Sequence, residues 1–392
     1  MKTSEKQTKH RIPVVDFVPA ELKKGNKGNW RIEYYIADPT SKSPKLKRKQ
    51  LRVKRITNTR ERERFAKRLC FEINRKLEKG WNPIIEQEAP RSLTLLKDVI
   101  EKFLSNIEKQ VKDKSLRPDT QRAYKSYLSN FKMFLKLKHE EEILCLKYNR
   151  DLIGEFLDYV YYYRNNSPRT YNNYLGFLSV FSKYMLQKGH IKANPALAFP
   201  KKPKSEKNRT VIDPKTLKSL FLELEKNDPY YYTACAMIYY ELTRRTEMSL
   251  LKVSDIRLSE KYIMIRGEVS KNRKTQTITI LQEFVPILAR HLNGASNSDF
   301  LFSTNNFRPG PHRIAPKSLS DQWTKWKKKL NLPDQYKFYS LKDTGITNLL
   351  RAGVPAIYVK EHARHHDIAM TQQYIPENTS VNSEILDGKL KV

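Results

Sequence analysis

The sequence predicts a multidomain chain, mainly α with small β-sheets. Three observations predict it. The length of 392 residues exceeds what one ordinary core organises, and two or three domains are the natural division. The spacing of apolar residues is strand-like near the N-terminus, helical through the middle and mixed in the last part. A Pro- and Lys-rich stretch without periodicity, PALAFPKKPKSEKNR (195–209), separates that last part from the rest.

Composition bounds the function. Apolar residues are 39% of the chain, and 22 Tyr, 16 Phe and 4 Trp supply cores, which excludes disorder throughout. The net charge is +33, spread along the whole length. Such an excess repels itself unless a polyanion balances it, and nucleic acid is the expected polyanion. An anionic membrane surface is the competing partner, but no window holds the roughly 20 apolar residues of a membrane span. The N-terminal MKTSEKQTKHR lacks the apolar core of a signal peptide, so the expected location is cytoplasmic, on DNA. Cys70, Cys145 and Cys235 are too scattered for a disulfide framework or a zinc site and read as small buried apolar residues.

Residues 1–88 read as a small β-sheet plus a helix. GNWRIEYYIAD (Gly28–Asp38) has strand character, and KQLRVKRI (Lys49–Ile56) alternates Leu51 and Val53 with charge. Between them runs the basic loop TSKSPKLKRKQ, and residues 42–60 hold nine Lys or Arg and no acid. A helix follows over Thr59–Lys79, with Phe65, Leu69, Ile73 and Leu77 on one face and GWNP as its stop. A small sheet with a dense basic edge suits a DNA groove. A solvated hairpin without a partner is the plainer alternative.

A linker is expected over 84–91, then a four-helix domain over 92–195. Its helices start at Thr94, Pro118, Asp151 (as cap) and Ser167, and Gly189 stops the last. Residues 196–209 read as an exposed basic linker. The final domain, 210–392, reads as α+β. Helices cover Pro214–Lys226 and Pro229–Glu241. SLLKVSDIRLSEKYIMIRG turns from a helix end into a strand, QTITIL (Gln276–Leu281) is a second strand across the hairpin SKNRKT, and helices occupy the rest to about Tyr374. No internal repeat is present.

Four clusters in this last domain carry chemistry. ELTRRTEMSLLKVSDI places Arg244 and Glu247 three apart. EVSKNRKTQTITI holds Lys271 at a hairpin. YSLKDTGITNLL sets Tyr339 and Lys342 three apart at a helix start. ARHHDIAMTQQY puts His365 nine residues before Tyr374. Taken singly, each has a plain structural reading: an ion pair, a turn lysine, half-buried tyrosines, a satisfied histidine. His362 and His366, four apart, have a zinc-like spacing, but HARHH lacks the Glu of H-E-x-x-H and a third ligand.

In this order the four clusters resemble the tyrosine recombinases, or phage integrases. That family's pattern is an Arg in R-x-x-E, a Lys in a β-hairpin, H-x-x-R, then L-G-H and a Tyr nine residues past that His. The resemblance implies an N-terminal arm-type DNA-binding domain, a helical (SAM-like) core-binding domain and an α+β tyrosine-recombinase catalytic domain. It implies a site-specific recombinase that integrates or excises a mobile element, with Tyr374 forming a 3′-phosphotyrosine while a 5′-hydroxyl leaves. Arg244, Lys342, His365 and Tyr339 would serve the phosphate, and Lys271 would protonate the leaving oxygen. No cofactor, metal or ATP is implied. The expected partners are core- and arm-type DNA sites, a homotetramer on DNA and DNA-bending accessory proteins. The sequence departs from the pattern: Lys342 stands for the second Arg, Tyr339 for the His of H-x-x-R, Asp343 where many members carry His, and Arg364 for the Gly of L-G-H. Lys lacks the guanidinium fork, and Arg364 is expected to restore a cation. Two alternatives follow: a catalytically decayed DNA-binding regulator of the same fold, or a type IB topoisomerase-like enzyme.

Overall fold

The structure is a computed structural model and describes residues 16–40, 46–86, 88–203, 209–268, 270 and 274–375. By its internal contacts the chain divides into two compact units, 1–206 and 207–392.

The first unit opens with an antiparallel sheet of β1 (Phe17–Lys24), β2 (Trp30–Ala37) and β3 (Leu46–Arg52), in that order. Alternation puts Ile32, Tyr34 and Ile36 on one face of β2, where they pack on Ala66, Leu69, Ile73 and Leu77 of α1 (Thr59–Glu78). The Asn58 side chain caps α1, accepting from Arg60 N and Glu61 N. The Arg62 guanidinium lies 4.6 Å from the Trp30 ring and donates to the Gly28 carbonyl at 2.8 Å, tying helix to sheet. Strand β1 was not expected from the sequence, because only Ala20 of its eight residues is buried and no alternation shows. Strand β3 lies earlier than the expected Lys49–Ile56, since after Arg52 the chain turns toward α1.

Then come α2 (Leu96–Lys112), α3 (Pro118–Leu137), α4 (Arg150–Asp158) and α5 (Pro168–Gln187). Their core is aromatic, with Phe103, Phe131, Phe156, Phe177 and Phe181 meeting at centroid distances near 5–6 Å. The cap of α4 is Asn149, not Asp151: its extended backbone lets the side chain accept from Leu152 N at 3.1 Å, and Asp151 lies inside the first turn. Ser167, where this helix was expected to begin, caps α5, and Gly189 follows at φ +70. The stretch over 195–203 is less free than expected. Ala196 is buried, Asn172 brackets Lys202 with two backbone bonds, and the Lys202 ammonium sits 3.9 Å from the Tyr161 ring.

The second unit is built on α7 (Pro229–Tyr240), buried along Tyr231–Ile238, which explains its lack of a polar stripe. Around it lie α6 (Pro214–Asn227), the short α8 (Arg245–Met248), α9 (Val285–Leu292), α10 (Pro316–Lys329) and α11 (Ser340–Arg351). A small antiparallel sheet adds β4 (Ile256–Arg257), β5 (Tyr262–Ile265) and β6 (Gln276–Thr279). Helices α12 (Ala356–Ala363) and α13 (Ala369–Gln372) close the described chain. The expectation that helices fill everything after β6 is corrected over residues 293–315. That segment is irregular, held by isolated bridges such as Phe300 to Gly310. No helix among the described residues is long and apolar enough to cross a membrane.

Candidate active site

Arg244 stands as N-cap of α8, just after the turn that ends α7. In that turn Leu242 takes φ +50, a region that strains a branched side chain. The strain is held from two sides. The Leu242 side chain is fully buried with Ile346, Val359, Ala363 and Tyr374, and its carbonyl accepts from the Lys342 ammonium. Arg244 then closes on Glu247: the Glu247 carboxylate accepts from Arg244 N at 2.9 Å and from Nη1 at 2.8 Å. Arg244 Nη2 donates to the Arg364 carbonyl at 2.9 Å, which binds the R-x-x-E turn to the end of α12.

Arg364 caps α12 with φ +52 and ψ +46, the left-handed conformation a glycine adopts without strain. This is the backbone reason a Gly suits that place in the family pattern. Its side chain is turned inward and donates to Glu247 at 2.6 Å. Arg364 is therefore a buried partner of Glu247, not the extra site cation the sequence suggested. Burial raises the Glu247 carboxyl, yet the two guanidiniums outweigh it and hold its pKa below the ordinary value.

Lys342 and Asp343 occupy the first turn of α11, with Tyr339 as its N-cap. The Lys342 side chain is fully buried, and its ammonium donates to the Leu242 and Ala363 carbonyls. Burial, with Arg364 and Arg244 nearby, pushes that ammonium well below its ordinary pKa. The side chain expected to face a phosphate is thus held by backbone carbonyls inside the fold. Tyr339 is 38% exposed, and burial raises its phenol pKa against the lowering effect of Arg244.

The His365 ring lies nearly parallel to that of Tyr374, at 14° and a centroid distance of 6.2 Å. Its Nδ1 bonds the Thr371 hydroxyl at 2.9 Å. Burial, then the charges of Lys342, Arg244 and Arg209, lowers its pKa to about 4, so the ring is neutral at pH 7. Where the Thr371 hydroxyl donates to Nδ1, the ring proton sits on Nε2 and makes it a neutral donor. Tyr374 follows α13, is nearly buried, and donates to Asp343 Oδ1 at 2.7 Å. On its ring, at 3.6 Å, sits the Arg209 guanidinium, which is also 3.6 Å from Asp343 Oδ1 and donates to Gln373 at 2.7 Å.

Arg244, Tyr339, Lys342, His365 and Tyr374 thus meet in one unit although 130 residues of sequence separate the first from the last. Lys271 lies outside the described residues, as does the tail after Ile375. Arg209 was read as the end of a linker. Nothing local marks it, and only the fold brings it to Tyr374. Among the described residues no His, Cys, Asp and Glu group suited to a metal ion occurs.

A tyrosine packed against a guanidinium and a histidine, on an α+β unit preceded by a helical unit, defines an enzyme of the tyrosine recombinase class. Residues 210–380 match the phage integrase family and residues 95–202 the phage integrase SAM-like domain. The chain belongs to the phage integrase family of tyrosine recombinases. A tyrosine recombinase from Thermosipho africanus is 22% identical over 294 residues, spanning 74% of this chain and 90% of the relative. Tyrosine recombinase XerC of Psychromonas ingrahamii is 25% identical over 308 residues, spanning 75% and 97%. The fold is also that of a lambda integrase dimer bound to a COC′ core site (TM-score 0.60, 15% identity, 96% of this chain and 98% of that one). The Tn1549 transposon integrase in complex with transposon right-end DNA is similar as well (TM-score 0.56, 15% identity, 75% and 98%).

Proposed function

We propose that this chain is an integrase-type site-specific recombinase that cleaves and rejoins DNA through Tyr374. The observation that carries the reading is the placement of Tyr374 against His365 and Arg209, with Arg244 held in the same unit by Glu247 and the Arg364 carbonyl. Tyr374 Oη attacks the scissile phosphorus, a phosphotyrosine forms, and the 5′-oxygen leaves. The transition state gathers charge on the non-bridging oxygens. The fork of Arg244, 19% exposed in its side chain, offers parallel donors, and His365 Nε2–H adds a neutral one. Lys271, which precedes β6 in sequence, is assigned the proton for the leaving oxygen. Lys342 acts from beneath, holding the Leu242 turn rather than the phosphate.

The first unit supplies DNA binding in this reading. Register places Arg31 opposite Arg52 and Tyr35 opposite Arg48 on the face of the sheet away from α1, a basic surface suited to a groove at an arm-type site. The four helices are assigned to core-type sites. Two sites brought together by four protomers, with strands exchanged through a Holliday junction, complete the reaction, and DNA-bending proteins would assist it.

Covalent trapping tests the proposal. Nicked suicide DNA with the element's junction is incubated with wild type and with Tyr374→Phe. An SDS-resistant protein–DNA band from wild type alone supports the reading. Tight binding by both proteins with no covalent band sinks it and points to a DNA-binding regulator.

A further inference from the structure

Before Tyr374 attacks, its hydroxyl proton must go somewhere, and the structure points to where. Tyr374 Oη donates to Asp343 Oδ1 at 2.7 Å. Other bases close to this hydroxyl are poorly placed. His365 Nδ1 is engaged by Thr371, the Lys342 nitrogen is held by two carbonyls, and a guanidinium accepts no proton. The Asp343 carboxylate is faced by Arg209 from the segment before α6, by Tyr374 after α13, and by Tyr339 and Lys342 of its own helix start. Arg209 touches both members of the pair: it stacks on the Tyr374 ring at 3.6 Å and lies 3.6 Å from the carboxylate. A cation there attracts the ring more strongly as negative charge grows on it.

We infer that Asp343 is the proton acceptor for Tyr374 in strand cleavage, and that Arg209 positions the pair. The inference rests on the recombinase reading above. In cleavage the Oη–H proton passes to Asp343 Oδ1 as Oη forms its bond to phosphorus. The bond from phosphorus to the 5′-oxygen breaks, its electron pair stays on that oxygen, and Lys271 supplies the proton that makes it a hydroxyl. Religation runs the same transfers backwards: the 5′-hydroxyl attacks and returns its proton to Lys271, and the departing Tyr374 oxygen retrieves its own from Asp343. No proton or electron is left over.

The test is single-turnover cleavage by the full chain of a nicked suicide duplex. A second duplex carries sulfur in place of the scissile 5′-oxygen, because a thiolate leaves without an acid. Asp343→Asn keeps the shape and an oxygen at this position but takes no proton. Its cleavage should fall about 100-fold or more at neutral pH, the scale of general-base loss. The deficit should be equal on both duplexes and should shrink as pH rises and hydroxide replaces the carboxylate. Asp343→Glu should restore part of the rate. Arg209→Ala should slow both duplexes with DNA binding intact, and Arg209→Lys should recover part of that loss.

Thermal melting and binding to the same duplex show whether each variant is folded. A folded Asp343→Asn protein that cleaves like wild type from pH 6 to 9 overturns the inference and leaves the recombinase reading standing. If Asp343→Asn does not fold, Asp343→Glu decides: cleavage within a few-fold of wild type supports a carboxylate base, and none from a folded protein overturns it. A wild type that forms no covalent complex on a verified site removes the recombinase reading, and this inference with it.

Discussion

Gly345 of α11 lies so close to Tyr239 of α7 that a Cβ added to it would stand 2.1 Å from the Tyr239 carbonyl oxygen. That oxygen belongs to backbone and cannot step aside. The contact sets the distance between the helix that presents Tyr339, Lys342 and Asp343 and the helix that leads into Arg244. Gly345→Ala should destabilise the protein by about 2 kcal/mol or more, the cost of overpacking a core. Gly176, in the interior of α5 with nothing within 4 Å of an added Cβ, is the control. There the same change should stabilise by about 0.5–1 kcal/mol. Denaturant melts of the two variants check the opposite signs.

Arg364 carries two opposed effects. Its left-handed backbone costs about 1–2 kcal/mol for a residue with a side chain. Its buried bond to Glu247 works the other way, and breaking such a pair costs about 3–5 kcal/mol. Arg364→Gly should therefore destabilise the fold, by about 1–4 kcal/mol as a difference of these terms. An increase in melting temperature would show that strain outweighs the ion pair.

Lys342 distinguishes a structural from a phosphate-binding role. Lys342→Met would leave the Leu242 and Ala363 carbonyls without their donor, at about 1–3 kcal/mol each. Its melting temperature should drop before any DNA is added. Lys342→Arg should bring no gain in covalent complex, because the side chain does not face the site. A stable Lys342→Met protein with lost cleavage would contradict this and place the ammonium on the phosphate.

Glu241 and His365 give the stability a worked pH dependence. The Glu241 carboxyl is fully buried, and burial raises its pKa to about 8 from its ordinary 4.5, against the Leu281 N–H that it accepts. The folded state holds this proton longer than the unfolded one, so its contribution to stability is lost as pH rises from 4.5 to 8. His365 is opposite in sign. Its pKa falls from 6.5 to about 4, the unfolded state binds more protons in that window, and stability grows as pH rises through it. Glu241→Gln should flatten the loss at the alkaline side, making the variant at least about 1 kcal/mol more stable relative to wild type at pH 8.5 than at pH 5. Melting curves at the two pH values decide it, and equal differences would contradict the protonated Glu241.

Most of the fold was legible in the sequence because it rests on local signals. The helices after Pro118, Ser167, Pro214 and Pro229 start where a cap or a first-turn proline places them, and β2 and α1 show their buried faces by period alone. The four clusters and the Tyr at nine residues from His365 were likewise a matter of residue type and order. Strand β1 was not, since a strand that buries one residue has no alternation to read. The bridged segment over 293–315 is held by partners distant in sequence.

What each charged group does was decided by tertiary structure alone. Sequence supplied the cations of the four clusters and their order. It could not say that Lys342 and Arg364 point inward to carbonyls and a carboxylate, or that Arg209, 165 residues upstream, lies on the Tyr374 ring. The physical reason is that a side chain's direction and solvation depend on which backbone the fold brings against it. Residue type determines only the charge it carries.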